Sequence, residues 1–483
     1  MTHIDTPQSR CRAGVARGDV TPPVGIYHRM WGAALHDKAT GVHRPLTATA
    51  VWLAPESSAA DERQMVLALD HCILDRVEID LIRTAIASRT TIAPEQVQVC
   101  LSHTHGSGWM SRTRSHFPGG ELIGPYLDEL ATKCAALAAE AASKVQPAAI
   151  VYGAGRCSLA AQRDFRDVEN QRYVCGLNPD GLADDTLLVA RITADSGAVL
   201  ATVVNYACHP TTLAWQNTLI SPDYVGALRE VVERQTAAPC LFLQGASGDL
   251  GPREGFVGDP AVADRNGRQV GFAALAALES LPPSGARFVY RGPVVSGAVL
   301  GTWEHEPLGS EELLKRQTWQ VDRAVVELPY RPELPTLDET RSELTRWQAE
   351  EAAARAAGDE AKVRDCRAKA EQMTRQVARL TALPAGQAYP YEVRLLRLGD
   401  AIWLFLPGEL YQAFQTTLRH RFPRHPLIIA TIANDWQPGY VPLATAYGKG
   451  IYQDVIAAVA AGSLELLIEA VADQIAASLA KGC

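Results

Sequence analysis

Apolar runs that end in polar or glycine-rich stretches recur along the chain. Stretches with helical periodicity follow the first two of these runs, at 77–90 and 126–145. Buried strands that alternate with helices predict an α/β fold, in which loops at the carboxyl ends of strands gather functional residues. The polar motifs discussed below fall at such ends. The runs lie at 65–74, 97–105, 198–210 and 239–251.

Residues 310–382 break this alternation. The segment is rich in charged residues and contains two helical patterns joined at Gly358–Asp359. A seam with steps of three and four residues in the second pattern predicts an αα-hairpin, inserted into a single catalytic domain over residues 1–483. We expect this hairpin to form the surface of a homodimer, in which case deleting residues 335–382 leaves a monomer. The seam consists of Val363, Cys366, Ala370, Met373, Val377 and Leu380.

Composition narrows the class of protein. The net charge of −8 and the scattered lysines and arginines argue against a nucleic-acid partner. The longest apolar stretch, 455–480, is interrupted every four residues by Glu465, Glu469 and Asp473, which predicts an amphipathic helix rather than a membrane span. The N-terminus has no signal-peptide pattern, and the ten cysteines are widely spaced. We therefore expect a cytoplasmic protein with reduced thiols.

Two histidines end the second apolar run, in "SHTH". If the backbone there is extended, His103 and His105 face the same side of the strand end. Imidazoles are common zinc ligands. By itself, however, the pair is weak evidence, because most such pairs have a structural or solvated role.

Three later motifs carry further candidate ligands. His209 closes a β-branched run before Pro210, and Glu409 follows an apolar strand and a Pro-Gly turn. Taken alone, His209 fits a structural histidine at the edge of the core, and Glu409 fits a carboxylate that stabilises the start of a helix. The loop 433–454 holds Tyr440 and Tyr452, which an ordered surface loop would also accommodate.

Taken together, the motifs resemble those of the neutral (alkaline) ceramidases. "SHTHGSG", "NYACHPTT", "SPDYVG", "LQGASGDLGP", "LPGEL" and the late "GYVP" and "IYQ" occur in the order seen in that family. The opening "AGVARGDVTPPVG" is similar too, so the resemblance runs from about residue 12 to about residue 480, with the charged hairpin as an insertion. It implies a mixed, layered α/β hydrolytic domain.

The resemblance also implies a zinc site. The ligands would be His103, His209, Glu409 and Tyr440. His105 and Tyr452 would be further active-site groups, and Arg163 would help to polarise the substrate carbonyl. Zinc is the expected cofactor, although nitrogen and oxygen ligands also suit manganese and iron.

One position departs from the family pattern. Gly251 stands where the family has a serine, so the metal site acts without it, the substrate differs, or Ser247 contributes. Arginines nearby suggest a polar, anionic small-molecule substrate rather than a membrane lipid. The residues expected to contact substrate are Trp109, Arg112, Arg253, Gly251 and Asp223.

These observations lead to one hypothesis and two alternatives. The leading hypothesis is a zinc-dependent hydrolase that cleaves an amide, or an ester or lactone, with a metal-activated water as nucleophile. The first alternative is a metal-dependent lyase in which a tyrosine is the base and Arg163 clamps the substrate charge. The second is a catalytically inactive binding protein that retains the fold.

Overall fold

The computed structural model describes residues 2–57 and 62–481. Ten α-helices are present in these residues: α1 Arg76–Arg89, α2 Ile123–Ser143, α3 Tyr224–Thr236, α4 Pro260–Glu279, α5 Ser310–Lys315, α6 Leu337–Ala356, α7 Glu360–Ala382, α8 Ala413–Arg421, α9 Tyr452–Ile456 and α10 Ser463–Ala480.

The same residues form 23 strands. The first twelve are β1 His3–Ile4, β2 Gln8–Asp19, β3 Gly41–Val42, β4 Thr47–Ala54, β5 Gln64–Leu69, β6 Val97–Leu101, β7 Gln146–Arg156, β8 Ala160–Gln162, β9 Asp164–Asp167, β10 Arg172–Cys175, β11 Thr186–Ala194 and β12 Val199–Tyr206. The others are β13 Leu219–Ile220, β14 Cys240–Gln244, β15 Leu250–Pro252, β16 Ala286–Ser296, β17 Ala298–Pro307, β18 Trp319–Pro329, β19 Ala388–Leu398, β20 Ala401–Phe405, β21 Glu409–Leu410, β22 Leu427–Ala430 and β23 Tyr440–Val441.

Two large sheets stack face to face. The larger has eight strands in the order β14-β12-β11-β7-β2-β4-β5-β6, and the smaller has the order β18-β19-β20-β22. Alternate side chains of both sheets meet in one buried cluster, which includes Ile150 and Leu243 from the larger sheet and Trp403 and Ile428 from the smaller. This alternation reflects the two-residue period of a strand with one face on each layer.

Helices cover the two outer faces. Helices α1 and α2 pack on one half of the larger sheet, and α3 and α4 pack on the other half. Helices α8 and α10 cover the smaller sheet. The result is a four-layer helix–sheet–sheet–helix architecture, which confirms the predicted mixed, layered α/β class.

The carboxyl ends of several strands meet at one edge of the two sheets. Parallel pairing joins β5 to β6, β12 to β14 and β20 to β22. The segment after β22 crosses between the sheets, because Leu101 and Thr431 donate backbone hydrogen bonds to Ile432 and Gln244 respectively. Loops from both sheets therefore converge there, as expected for parallel strand ends.

Some predicted boundaries are wrong. The run 65–74 is a strand only as far as Leu69, because the buried Asp70 leaves the sheet to accept hydrogen bonds from Thr47 and pair with Arg229. The segment 310–382 is not helical throughout. Its first part contains β18, which pairs with β19, so the hairpin consists only of α6 and α7.

Helix α7 packs against the body of the chain. Arg367 pairs with Asp37, and Arg375 donates to the carbonyl of Met30. A Cβ at Gly32 would lie 3.3 Å from Ala368, so the two backbones approach closely. One face of the predicted hairpin is thus buried within the same molecule.

The C-terminal stretch forms an amphipathic helix, as predicted, but α10 begins at Ser463 and not at residue 455. Its apolar residues pack on the smaller sheet while Glu469 and Asp473 are exposed. Across residues 2–57 and 62–481, each helix is too short or too polar to cross a membrane.

Candidate metal centre

Two histidines and a glutamate converge where the strand ends meet. The Nε2 atoms of His103 and His209 are 3.1 Å apart. The Oε2 atom of Glu409 lies 3.3 Å from the first and 3.0 Å from the second. His103 follows β6, His209 follows β12 and Glu409 begins β21, so both sheets contribute.

Hydrogen bonds fix the orientation of both rings. The Nδ1 of His103 lies 2.8 Å from the carbonyl oxygen of Cys72, and that of His209 lies 2.7 Å from the carbonyl oxygen of Ser247. A carbonyl can only accept, so each Nδ1 carries the proton. In their neutral forms both Nε2 atoms then present lone pairs to each other and to the carboxylate of Glu409. Although burial opposes it, Cys72 and Glu409 raise the pKa of His103 well above its ordinary value, so this point favours a cation, either a proton on His103 or a metal ion.

Three acceptors at this separation repel one another unless a cation lies among them. Burial and the nearby Arg163 lower the pKa of His209 to about 4, which disfavours a proton on its ring. Although burial opposes it, the two histidines hold the pKa of Glu409 well below its ordinary value. Two imidazoles and a carboxylate are a standard set for catalytic zinc, and carbonyl acceptors behind the rings are the usual support. The residues present therefore fit a metal ion.

Backbone geometry places these groups. Strands β21 and β23 are parallel, with Glu409 opposite Tyr440. Gly408, at φ +72°, makes the preceding turn, and a Cβ there would lie 2.7 Å from the carbonyl oxygen of Gly439. His103 has φ +64°, a strained conformation for this residue type.

The prediction that an extended backbone places His103 and His105 on the same side of a strand end is wrong. Strand β6 ends at Leu101, His103 is left-handed and His105 begins a 3-10 turn, so the backbone is not extended there. The two rings nevertheless lie 5.0 Å apart. Neither ring nitrogen of His105 has a partner among the described residues, although both are buried.

Tyr440 and Arg163 extend the centre. The hydroxyl of Tyr440 lies 3.3 Å from Nε2 of His209 and accepts a 3.0 Å hydrogen bond from Nη2 of Arg163. The same nitrogen donates to the carbonyl oxygen of Gly248. Burial raises the pKa of Tyr440 well above its ordinary value, against the effect of Arg163.

A cavity of about 420 Å³ opens beside these groups. His105, Arg163, Tyr440 and Tyr452 line it, so the structure brings these predicted residues together. Aromatic side chains form another wall, and residues of helix α7 form a further one. Further lining residues include Trp31, Trp215, Phe256, Cys175, Thr211, Glu371, Gln372, Arg375 and Arg379.

Comparisons with known proteins bear on the fold. No family model and no curated protein matches the chain. Among solved structures, the neutral ceramidase from Pseudomonas aeruginosa matches with a TM-score of 0.62 and 16% identity, over 97% of this chain and 74% of that one. A structure described as a ceramidase complexed with C2 matches with a TM-score of 0.62 and 15% identity, over 99% and 76%.

The chain has the neutral-ceramidase fold. The resemblance seen in the sequence is thereby confirmed at the level of three-dimensional structure. Because the identity is low, the likeness establishes the fold alone, and functional roles have to be argued from the geometry of this site.

Three residues expected to contact substrate lie away from the cavity. Trp109 is 3% exposed and packs under the guanidinium groups of Arg114 and Arg375. Arg112 pairs on the surface with Glu78. Asp223 is fully buried and accepts backbone hydrogen bonds at the start of α3, where it orders the loop instead.

Two others lie beside the cavity. Arg253 and Gly251 line a crevice of about 80 Å³ that shares Arg163 and Thr211 with the main cavity. A Cβ at Gly251 would lie 3.8 Å from both of them. Ser247 is not there, since it sits behind His209 with its hydroxyl 2.6 Å from Nε2 of Gln244.

Sequence reasoning missed several lining residues. Thr211 has a buried hydroxyl without a partner in the described part of the chain, close to the place where a side chain at Gly251 would begin. In the sequence, its position two residues after His209 was the feature that could have identified Thr211 as a lining residue. Arg375 and Arg379 share one face of α7. Charges at a spacing of four are ordinary on a solvated helix, so this spacing did not indicate that the two arginines line a cavity.

Proposed function

We propose that the protein is a zinc-dependent hydrolase that cleaves an amide, or less readily an ester or lactone, of a small polar molecule. The convergence of His103, His209 and Glu409 carries this proposal, next to Tyr440, which lines the cavity. A zinc ion bound there, with Tyr440 as a fourth ligand, would supply Lewis acidity and lower the pKa of water.

Arg163 is the group best placed to stabilise negative charge on a substrate carbonyl. It is 3% exposed, and its bonds to Gly248 and Tyr440 fix the guanidinium against the cavity. Such a preorganised donor acts strongly because a buried guanidinium is screened less by water than an exposed one. Arg163 therefore holds the acyl oxygen, as an oxyanion-hole donor does.

His105 and Tyr452 are the groups that can carry a proton to the leaving nitrogen. Both face the cavity, and both ring nitrogens of His105 are free of partners among the described residues. The hydroxyl of Thr211 provides a further hydrogen-bonding group on the same wall. Proton delivery at hydrogen-bonding distance is what amide cleavage requires of the protein.

The cavity also bears on substrate size. A volume of about 420 Å³ is within the range of small-molecule sites. Two long hydrocarbon chains would need more space, and a wall with three arginines suits them poorly. We also propose a cytoplasmic location, supported by nine described cysteines that are free thiols.

The test is product analysis in water enriched in oxygen-18. Short N-acetyl amines and N-acetyl amino acids are incubated with the zinc-loaded protein. Hydrolysis places one solvent oxygen in the released acetate, whereas elimination incorporates none. His209→Ala should abolish acetate release, and the exposed His420→Ala should not. A labelled product that persists in His209→Ala and without zinc would contradict the proposal, and an unlabelled elimination product would favour the lyase.

A further inference from the structure

Arg379 is a buried cation without a carboxylate. It is 7% exposed, on the face of α7 that lines the cavity. Its only side-chain hydrogen bond within residues 2–57 and 62–481 is to the neutral amide of Gln376, and its Nε has no partner there. Burial lowers its pKa, against the opposite effect of Tyr452 and Glu409.

The other buried arginines of the described chain either pair with a carboxylate or, like Arg29 and Arg163, donate to two uncharged acceptors each. Arg229 pairs with Asp70 at 2.5 Å. Arg419 pairs with Asp184 at 3.2 Å. Such pairing is the rule, because an isolated charge in the interior costs far more than a paired one.

Arg375, one turn before Arg379, shows the contrast on the same helix. Its Nε donates to Glu371 at 2.9 Å, and Glu371 also pairs with Arg114 at 3.0 Å. The guanidinium lies over Trp109 and bonds the carbonyl of Met30. Arg375 is therefore committed to holding α7 in place, and Arg379 is left as the available cation.

We infer that Arg379 binds an anionic group of the substrate, a carboxylate or a phosphate. The fork of a guanidinium matches the oxygen pairs of either group. Arg163 is less available, since one of its terminal nitrogens already bonds Gly248 and Tyr440. This inference rests on the proposed function and defines the substrate class as a small acidic amide.

The cavity gives such a molecule separate places for its parts. The scissile carbonyl would lie by the metal centre and Arg163, and the anion would lie against α7. Trp31, Trp215 and Phe256 form an aromatic wall for an apolar portion, with Trp31 and Phe256 in edge contact at 5.5 Å. An acidic amide with an aromatic or aliphatic side chain fits all three surfaces.

Two matched probe pairs test this inference by calorimetric binding to the zinc-loaded full-length protein. For the carboxylate, N-acetyl-L-phenylalanine is compared with N-(2-phenylethyl)acetamide. For the phosphate, O-phospho-N-acetylethanolamine is compared with N-acetylethanolamine. The member of the correct class should bind at least tenfold more tightly than its neutral partner, and the pair with the larger ratio identifies the anion.

Substitutions on helix α7 test whether Arg379 causes the preference for the anionic probe. Arg379→Gln should lower the anionic-to-neutral affinity ratio roughly 10- to 100-fold, the range for a lost hydrogen-bonded charge. Arg379→Lys should restore part of it. Arg364→Gln removes an exposed arginine from the same helix and should leave the ratio unchanged.

The melting temperature distinguishes anion binding by Arg379 from a structural role of this residue. Because Arg379 is buried without a counter-charge, Arg379→Gln should unfold at the same temperature as wild type or a higher one. A lower melting temperature together with an unchanged affinity ratio would mean that Arg379 is structural and would overturn the inference.

Amine release, measured in parallel, separates the two proposals. Hydrolysis with no preference for an anion, or no binding of any anionic probe, would overturn this inference alone. Binding of an anion that depends on Arg379, without hydrolysis by the zinc-loaded protein, would support this inference and contradict the proposed hydrolase.

Discussion

At the scale of single residues, the metal centre is built on backbone conformations that its side chains rarely adopt. His103 has φ +64°, and Asp223, which orders the loop after His209, has φ +53°. Each costs about 1–3 kcal/mol and persists only where the surroundings impose it. Here Asp223 is held by hydrogen bonds to the backbone of Leu213 and Tyr224. The strained residues are therefore a proposed metal ligand, His103, and a residue that orders the loop after another ligand, His209.

Gly251→Ser should be accepted without loss of stability. A Cβ at Gly251 meets nothing closer than 3.8 Å, and its backbone is not left-handed. We expect a melting temperature within about 2 °C of wild type, as for a substitution that removes no packing. Gly106→Ser is the contrasting control, since its Cβ would lie 2.6 Å from the carbonyl oxygen of Ser221. Equal destabilisation by both would contradict this view of the site.

Sequence reasoning reached the acceptors of the metal centre but not all of their surroundings. His103, His209 and Glu409 stand out because each follows an apolar strand, and strand ends in α/β folds converge. Arg379 does not stand out, because its burial depends on which face of α7 docks. Local spacing carries no information about that choice.

At the scale of elements, the hairpin has a different role from the one its composition suggests. Its charged residues are not all solvated, since α7 buries Glu371 and Arg379 along with Cys366 and Ala370. Of the six predicted seam positions, Cys366 and Ala370 are buried, and the other four are half-buried. The two charged residues are buried because they meet Arg114 and the cavity, which are distant in sequence.

Glu371 should make docking of α7 sensitive to acid. Burial alone would raise its pKa, but Arg375 and Arg114 outweigh burial and hold the pKa at about 2, below the ordinary 4.5. The shift corresponds to about 3 kcal/mol of stability that is present above pH 4.5 and is lost as the pH falls towards 2. Glu371→Gln should therefore lower the free energy of unfolding by about 3 kcal/mol at pH 7.

Urea unfolding of wild type and Glu371→Gln at several pH values measures this effect. The difference should shrink as the pH falls from 4.5 towards 2, because the Glu371 carboxylate of the unfolded chain takes up a proton in this range while the folded one stays ionised down to about pH 2. Asp365→Asn, an exposed change on the same helix, should differ little from wild type at any pH. A difference for Glu371→Gln that does not depend on pH would contradict the ion-pair explanation.

At the scale of the whole molecule, two sheets are needed to assemble one site. His103 and His209 come from the larger sheet, and Glu409 and Tyr440 come from segments around the smaller. Alternating strands and helices predicted the α/β class, but not this stacking. Pairing such as β2 with β7, far apart in sequence, is set by long-range contacts that no local pattern encodes.

Homodimerisation through the hairpin stays a prediction, and α7 narrows how it could occur. Because one face of α7 is buried against the body of the chain, a partner would have to contact α6 or the exposed face of α7. Sedimentation should then show a dimer for wild type and a monomer after deletion of residues 335–382. The same oligomeric state in both proteins would refute it.

Metal content measured by mass spectrometry tests the central claim most directly. Wild type and the exposed control His420→Ala should each hold about one zinc ion per chain, the stoichiometry of a single catalytic site. His209→Ala should lose it, because the acceptors of His103 and Glu409 remain but the third is gone. Zinc retained in His209→Ala, or wild type without metal after careful handling, would contradict the account.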